Sequence, residues 1–251
     1  LIETLPVVAL RGMTILPGMV IHFDVSRERS VKAIEQAMLK EQRIFLVTQK
    51  DVQVEQPGPE DLYRIGTIAS VKQVIKLPHN VIRVLAEGLE KAELSHFSQD
   101  GEFLEAEVIR FESEDALENL DPAYGEAMVR NLSETFHLYC RESGKVGKEL
   151  ERQITETADL EKLMKEIMIN LPLYYEDKQK LLETVTLSDR YELLCAQMNK
   201  EIEVLRFKRE LQEKVKARVD KNQREYLLRE QLKVIREELG EDTSGSDADH
   251  F

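Results

Sequence analysis

From Leu173 to Leu239 the chain contains neither glycine nor proline. These are the two residues that most readily stop a helix, so nothing local interrupts one very long element here. Ser188 with Asp189 is placed to cap it and Gly240 to end it. About 50 residues at roughly 1.5 Å each make a rod of about 75 Å, more than a small lobe can cover. Leu194, Met198, Ile202 and Leu205 have the spacing of a face packed on other helices. Farther on, Leu211, Val215 and Val219 stand alone amid KRELQEKVKARVDKNQRE, the pattern of a helix that projects or pairs. Near the end Leu228, Leu232, Ile235 and Leu239 recur at i, i+4, i+7 and i+11, and with Tyr226 they are the candidate assembly contacts. Without a partner this end is expected to fray beyond about Tyr226.

The first hundred residues have a different period. Leu5 to Leu10, Val20 to Val25, Arg43 to Thr48, Ile65 to Leu77, Val81 to Leu89 and Phe103 to Phe111 are short apolar or β-branched runs bounded by turn formers. Pro78-His79-Asn80 separates two of them at hairpin distance, and Asp100-Gly101 marks another turn. One helix interrupts the series, capped by Ser26, with Val31, Ile34 and Met38 inward and Glu28, Arg29, Lys32 and Gln36 outward. Gln49 to Asp61 reads as an exposed loop.

After the acidic stretch ESEDALENLDPAYG the texture turns helical. Pro122 suits a first helical turn, and Ala127, Leu132, Phe136 and Tyr139 supply a stripe. Gly144 and Gly147 break the chain before a second stretch faced by Leu160, Leu163, Met164 and Ile167, and Asp177 to Glu183 starts a third. The expected architecture is α+β: a β-rich lobe over 1–112, a helical bundle over 113–188, the long helix over 189–240 and an acidic linker over 241–251.

The chemistry of the sequence excludes more than it offers. With 42% hydrophobic and 33% charged residues and no long apolar run, the chain has a globular profile and no expected membrane span. Cys140 and Cys195 are isolated, which fits a reducing compartment and gives neither a zinc site nor a disulfide framework. A formal charge of -13 disfavours nucleic acid. Residues 200–239 do hold 12 Lys+Arg, but 9 Asp+Glu interleave with them, as on a solvated helix. The nearest string to a phosphate loop, Ser143 to Glu149, has the wrong glycine spacing and Glu where a hydroxyl must stand. The five histidines are scattered, and the carboxylates Glu112, Glu114 and Asp115 fall in a polar connector. No catalytic or metal residue is nominated.

Specific strings add what periodicity cannot. LPVVALRGMTILPGMVIHFDVSRERSVKAIEQAM, RIFLVTQKD, DLYRIGTIASVKQVIKLP, VLAEGLEKAEL, DKQKLLE and KNQREYLLREQLKVIREELGE stand in this order along the chain. Together they resemble the amino-terminal domain of the ATP-dependent Lon proteases of the bacterial LonA type. The sequence departs from that pattern at Glu90-Lys91, where an Arg commonly follows the Gly88 turn.

The resemblance implies a PUA-like β-barrel lobe with one inserted helix, a helical bundle and one very long C-terminal helix. It also implies a place upstream of an AAA+ ATPase and a Ser-Lys protease module, neither of them in this sequence. The function implied is noncatalytic: substrate recognition and assembly in a cytoplasmic homo-hexamer that uses ATP and Mg to degrade misfolded and regulatory proteins. The candidate substrate contacts are Met13, Ile15 and Leu16 in a Gly/Pro-flanked loop, with Arg27, Glu28, Arg29 and Lys32 at the nearby helix start. Ordinary core packing is the competing reading of the first three. The competing functions are a free-standing coiled-coil scaffold and, less favoured, a nucleic-acid-binding regulator.

Overall fold

The structure is a computed structural model and describes residues 1–111 and 120–240. Six strands come first: β1 (Ile2–Leu10), β2 (Val20–Val25), β3 (Arg43–Thr48), β4 (Ile65–Lys76), β5 (Ile82–Ser98) and β6 (Glu105–Arg110), with α1 (Glu28–Met38) after β2. Helices α2 (Pro122–Ser143), α3 (Lys148–Thr155), α4 (Leu160–Asn170), α5 (Tyr175–Glu183) and α6 (Leu187–Glu238) follow. The fold is α+β, as expected. No described helix is long and apolar enough to cross a membrane.

The strand order is β2-β5-β4-β3-β1-β6, and a further β5–β6 pairing closes five of the six into a ring. Closure depends on β5, which runs on past Leu89, where the sequence pattern ends it, to Ser98. Register shifts between Ile68 and Ala69 of β4 and between Leu94 and His96 of β5 bend the sheet there. Four charges tie the closing strands: Arg43 lies 3.3 Å from Glu3 and 3.2 Å from Glu90, while Arg110 pairs with Glu3 and lies 3.2 Å from Glu90. At the β4–β5 turn His79 and Asn80 both take positive φ, and Leu77 N donates to Val81 O at 2.8 Å, closing the hairpin.

Successive residues of β1 point to opposite faces. Val8 and Leu10 join the core shared with α1, whereas Val7 and Ala9 face the second core with Phe45, Leu62 and Ile68. A strand buried on both faces reads as an unbroken apolar run, which is why PVVAL and IFLV lack alternation.

Helix α1 is shifted from its expected register. Arg27, not Ser26, is the N-cap residue, and Val31 N bonds Arg27 O at 2.9 Å. The buried face is Ser30, Ala33, Ile34 and Ala37, while Met38 is exposed. With Ala33, Ile34 and Ala37 inward at helical spacing, Met38 falls at the edge of that face in the last turn.

In the helical part, the Asp121 side chain accepts from Ala123 N and Tyr124 N, and Gly144 at φ +63° ends α2. The second expected stretch is two helices, because α4 has its own cap where Asp159 accepts from Lys162 N. The third begins at Tyr175, ahead of Asp177. Thr186 Oγ1 accepts from Asp189 N at 3.0 Å and caps α6, ahead of the expected Ser188. Past Tyr226, where fraying is expected, α6 continues unbroken to Glu238.

Two compact units are formed, Leu1–Asn199 and Lys200–Phe251. In the second, every described residue from 206 onward is exposed. The expected boundary at 112/113, the 241–251 tail, and with them Glu112, Glu114, Asp115 and His250 lie outside the described residues.

Candidate functional site

The loop from Met13 to Met19 is strapped across the barrel by short contacts. Thr48 Oγ1 donates to Met13 O (2.7 Å) and Thr67 Oγ1 to Ile15 O (2.6 Å). Gly18 N and Gly88 O, and Gly88 N and Met19 O, are paired at 2.8 Å. Gly88 has no room for a side chain: a Cβ there meets Leu16 O at 2.5 Å. On the other side of the strap lies α4, since a Cβ on Gly18 would meet Lys165 Cε at 2.2 Å.

Polar bonds join barrel to helices beside this strap. Thr14 Oγ1 is 2.9 Å from Thr48 Oγ1 and 3.1 Å from Tyr175 O. The buried amide of Gln179 donates to Ile65 O (2.9 Å). Lys91 Nζ donates to Thr184 O (2.6 Å) and stands 4.5 Å from the centre of the Phe111 ring. Lys91 and Glu90, which the sequence marks only as a departure from a pattern, therefore serve the seam and the strand closure respectively.

At the seam these elements leave a cavity of about 270 Å³. Its floor includes Leu16, Met164, Met168 and Ile169, and Lys91, Lys165 and Arg190 stand at its wall with Glu161. Two flexible thioethers let such a surface adapt to differing apolar side chains, and the cations favour acidic flanks. No signal in the sequence separates Met164 and Met168 from core residues, because their helical spacing is that of a packed face.

The nominated residues are brought together only in part. Ile15 is taken up by the core shared with α1. Leu16, 1% exposed, lines the seam cavity. Met13 and Arg27 line a different cavity. Arg29 donates to Gly101 O at 3.0 Å and to Gln99 O, and Lys32 pairs with Glu28 at 3.2 Å, so these three charges bind their own chain. Burial, with repulsion from Arg11, holds the Arg27 guanidinium below its ordinary pKa. Tyr226, Leu228, Leu232 and Ile235 on α6, and Leu239 just past its end, are all exposed. No group of three or more His, Cys, Asp or Glu among the described residues is arranged to hold a metal.

The family model of the ATP-dependent protease La (LON) substrate-binding domain matches residues 4–200. Lon protease of Lachnoclostridium phytofermentans is 52% identical over 97% of this chain, and Lon protease 1 of Bacillus subtilis 35% over 95%. In both, the match spans 30% of the relative's length. The N-terminal domain of the Mycobacterium avium complex Lon protease superposes with a TM-score of 0.61 at 18% identity, covering 78% of this chain and 98% of that one. With the fold, the order of elements and the matched residues in agreement, the chain belongs to the Lon substrate-binding domain family.

Proposed function

We propose that the chain is the noncatalytic substrate-recruiting and assembly part of a longer ATP-dependent serine protease, and that it takes apolar segments of unfolded polypeptides at the seam cavity. The observation that carries this reading is the adaptable floor of Leu16, Met164, Met168 and Ile169 beside a cationic wall. ATP and Mg would serve an ATPase module outside this sequence, in a cytoplasmic homo-hexamer. Tyr226, Leu228, Leu232, Ile235 and Leu239 would meet that module or a neighbouring subunit. Support comes from the family matched and from four leucine or isoleucine side chains left at least half exposed, each forgoing on the order of 1 kcal/mol of burial.

The test is crosslinking of a photoreactive unfolded protein to the 251-residue chain. Labels are expected on Leu16, Pro17 and α4, and Ile169→Asp should reduce them severalfold. Labels confined to residues beyond 200 overturn the reading.

A further inference from the structure

A second cavity, of about 500 Å³, lies between β1 and β2. Among the described strands, β2 pairs only with β5; on β1 the β6 side is occupied up to Val7, whose N donates to Leu104 O at 2.8 Å, and over Val8–Leu10 β1 pairs only with β3. Each strand therefore has an edge with no strand beside it, the kind of edge that accepts an extended chain. Val8, Leu10, Phe23 and Val25 contribute apolar wall.

The charges in this wall are unbalanced. Arg11, Arg27 and Arg83 line it against one carboxylate, Asp24. That carboxylate is already held by Arg83 through both oxygens, at 2.8 and 3.1 Å. Arg11 reaches only the carbonyl of Val54 (3.4 Å), and Arg27 only the side-chain amide oxygen of Gln49. Neither forms an ion pair with a described carboxylate. Their mutual repulsion and the burial of Arg27 work against the charge they carry, so an anion between them relieves both. Ser30, 3% exposed, also lines the cavity and can offer its hydroxyl to the same anion.

We propose that this cavity binds a carboxylate carried by an apolar stretch of polypeptide, with the carboxylate held by Arg11, Arg27 and the Ser30 hydroxyl and the chain lying along the free strand edges. The carboxylate is either the chain terminus or an aspartate or glutamate side chain. A guanidinium pairs with carboxylate and phosphate alike in bidentate geometry, so it is the apolar walls and free edges that favour a peptide over a free phosphate. The proposal rests on the recruiting function and adds to it a chemical preference at a second place.

Fluorescence anisotropy of the 251-residue chain with short labelled apolar peptides tests it. Three peptides are compared: one with a free terminal carboxylate, one amidated with an internal Asp, and one amidated without any acid. The free-acid peptide should bind about tenfold more tightly than the acid-free one, as expected for a hydrogen-bonded charge. Arg11→Gln and Arg27→Gln should each remove most of that advantage while leaving the acid-free peptide unchanged. Thermal melting checks each variant. Should Arg27→Gln unfold through loss of its Gln49 contact, the exposed Arg11 carries the test. The internal-Asp peptide separates the two sources: matching the free acid means that any carboxylate is read, matching the acid-free amide that only the terminus is. Equal binding of all three, an advantage that survives both substitutions, or displacement of the peptide by equimolar inorganic phosphate overturns the proposal. Crosslinking at the seam cavity without carboxylate preference leaves the recruiting function standing and this proposal refuted. No binding by any peptide or unfolded protein refutes both.

Discussion

Two residues show how much local environment decides. Burial, with Glu151 nearby, pushes the Cys140 thiol up to about 12. A thiol that stays protonated is a poor nucleophile, so Cys140 should resist iodoacetamide at neutral pH until the chain unfolds, as mass spectrometry of labelled peptides would record. The same shift has a stability consequence. The folded-state pKa lies above the unfolded value of about 9, so the contribution is fully present below that pH and is lost as pH rises toward about 12. Cys140→Ala should flatten that part of the alkaline unfolding curve relative to the parent. Gly88 is the second case. Its substitution by Ala drives a methyl against the Leu16 carbonyl, and a loss of about 2 kcal/mol is expected on thermal melting, with weaker peptide crosslinking at the seam.

At the scale of elements, the apolar stripe near the end of α6 carries a clear expectation. In the longer protease proposed above, Leu232→Asp with Ile235→Asp should impair assembly or ATP-coupled degradation. The melting temperature of the 251-residue chain should stay put, since surface changes of this kind cost within about 0.5 kcal/mol. A lowered melting temperature would mean that the stripe packs on its own chain. Elements are also where the sequence is most legible. Runs such as RIFLVT coincide with β3 because a strand buried on both faces leaves few alternatives. Caps are less legible: Arg27 has no side-chain cap bond, so residue type alone favours Ser26. The break between α3 and α4 is set by Asp159, which an apolar stripe does not reveal. Gln49, assigned to an exposed loop, is fully buried, because its side chain bonds the carbonyls of Asp51 and Val54 and closes that loop on itself.

At the scale of the whole molecule, family and architecture are carried by strings spread over nearly the whole chain. The candidate site is not, because it is assembled from a loop, a strand and three helices whose approach no single string encodes. Leu16 is legible as a candidate through its Gly/Pro flanks; Met164, Met168 and Ile169 are not, since a residue lining a cavity and one filling a core share the same spacing.

The polar bonds that join barrel to helices through Thr14, Gln179 and Lys91 end on backbone carbonyls at Tyr175, Ile65 and Thr184. Opening the seam would give up these part-buried bonds together with the apolar contact of Leu16 with α4, so partial opening is costly and the unit Leu1–Asn199 should melt all at once. Amide hydrogen exchange would display this as one shared protection level for β3, β4 and α5. Amides of α6 beyond 206, held only by their own helical bonds, should exchange orders of magnitude faster by local helix–coil opening, which makes this chain a two-speed molecule on the exchange timescale.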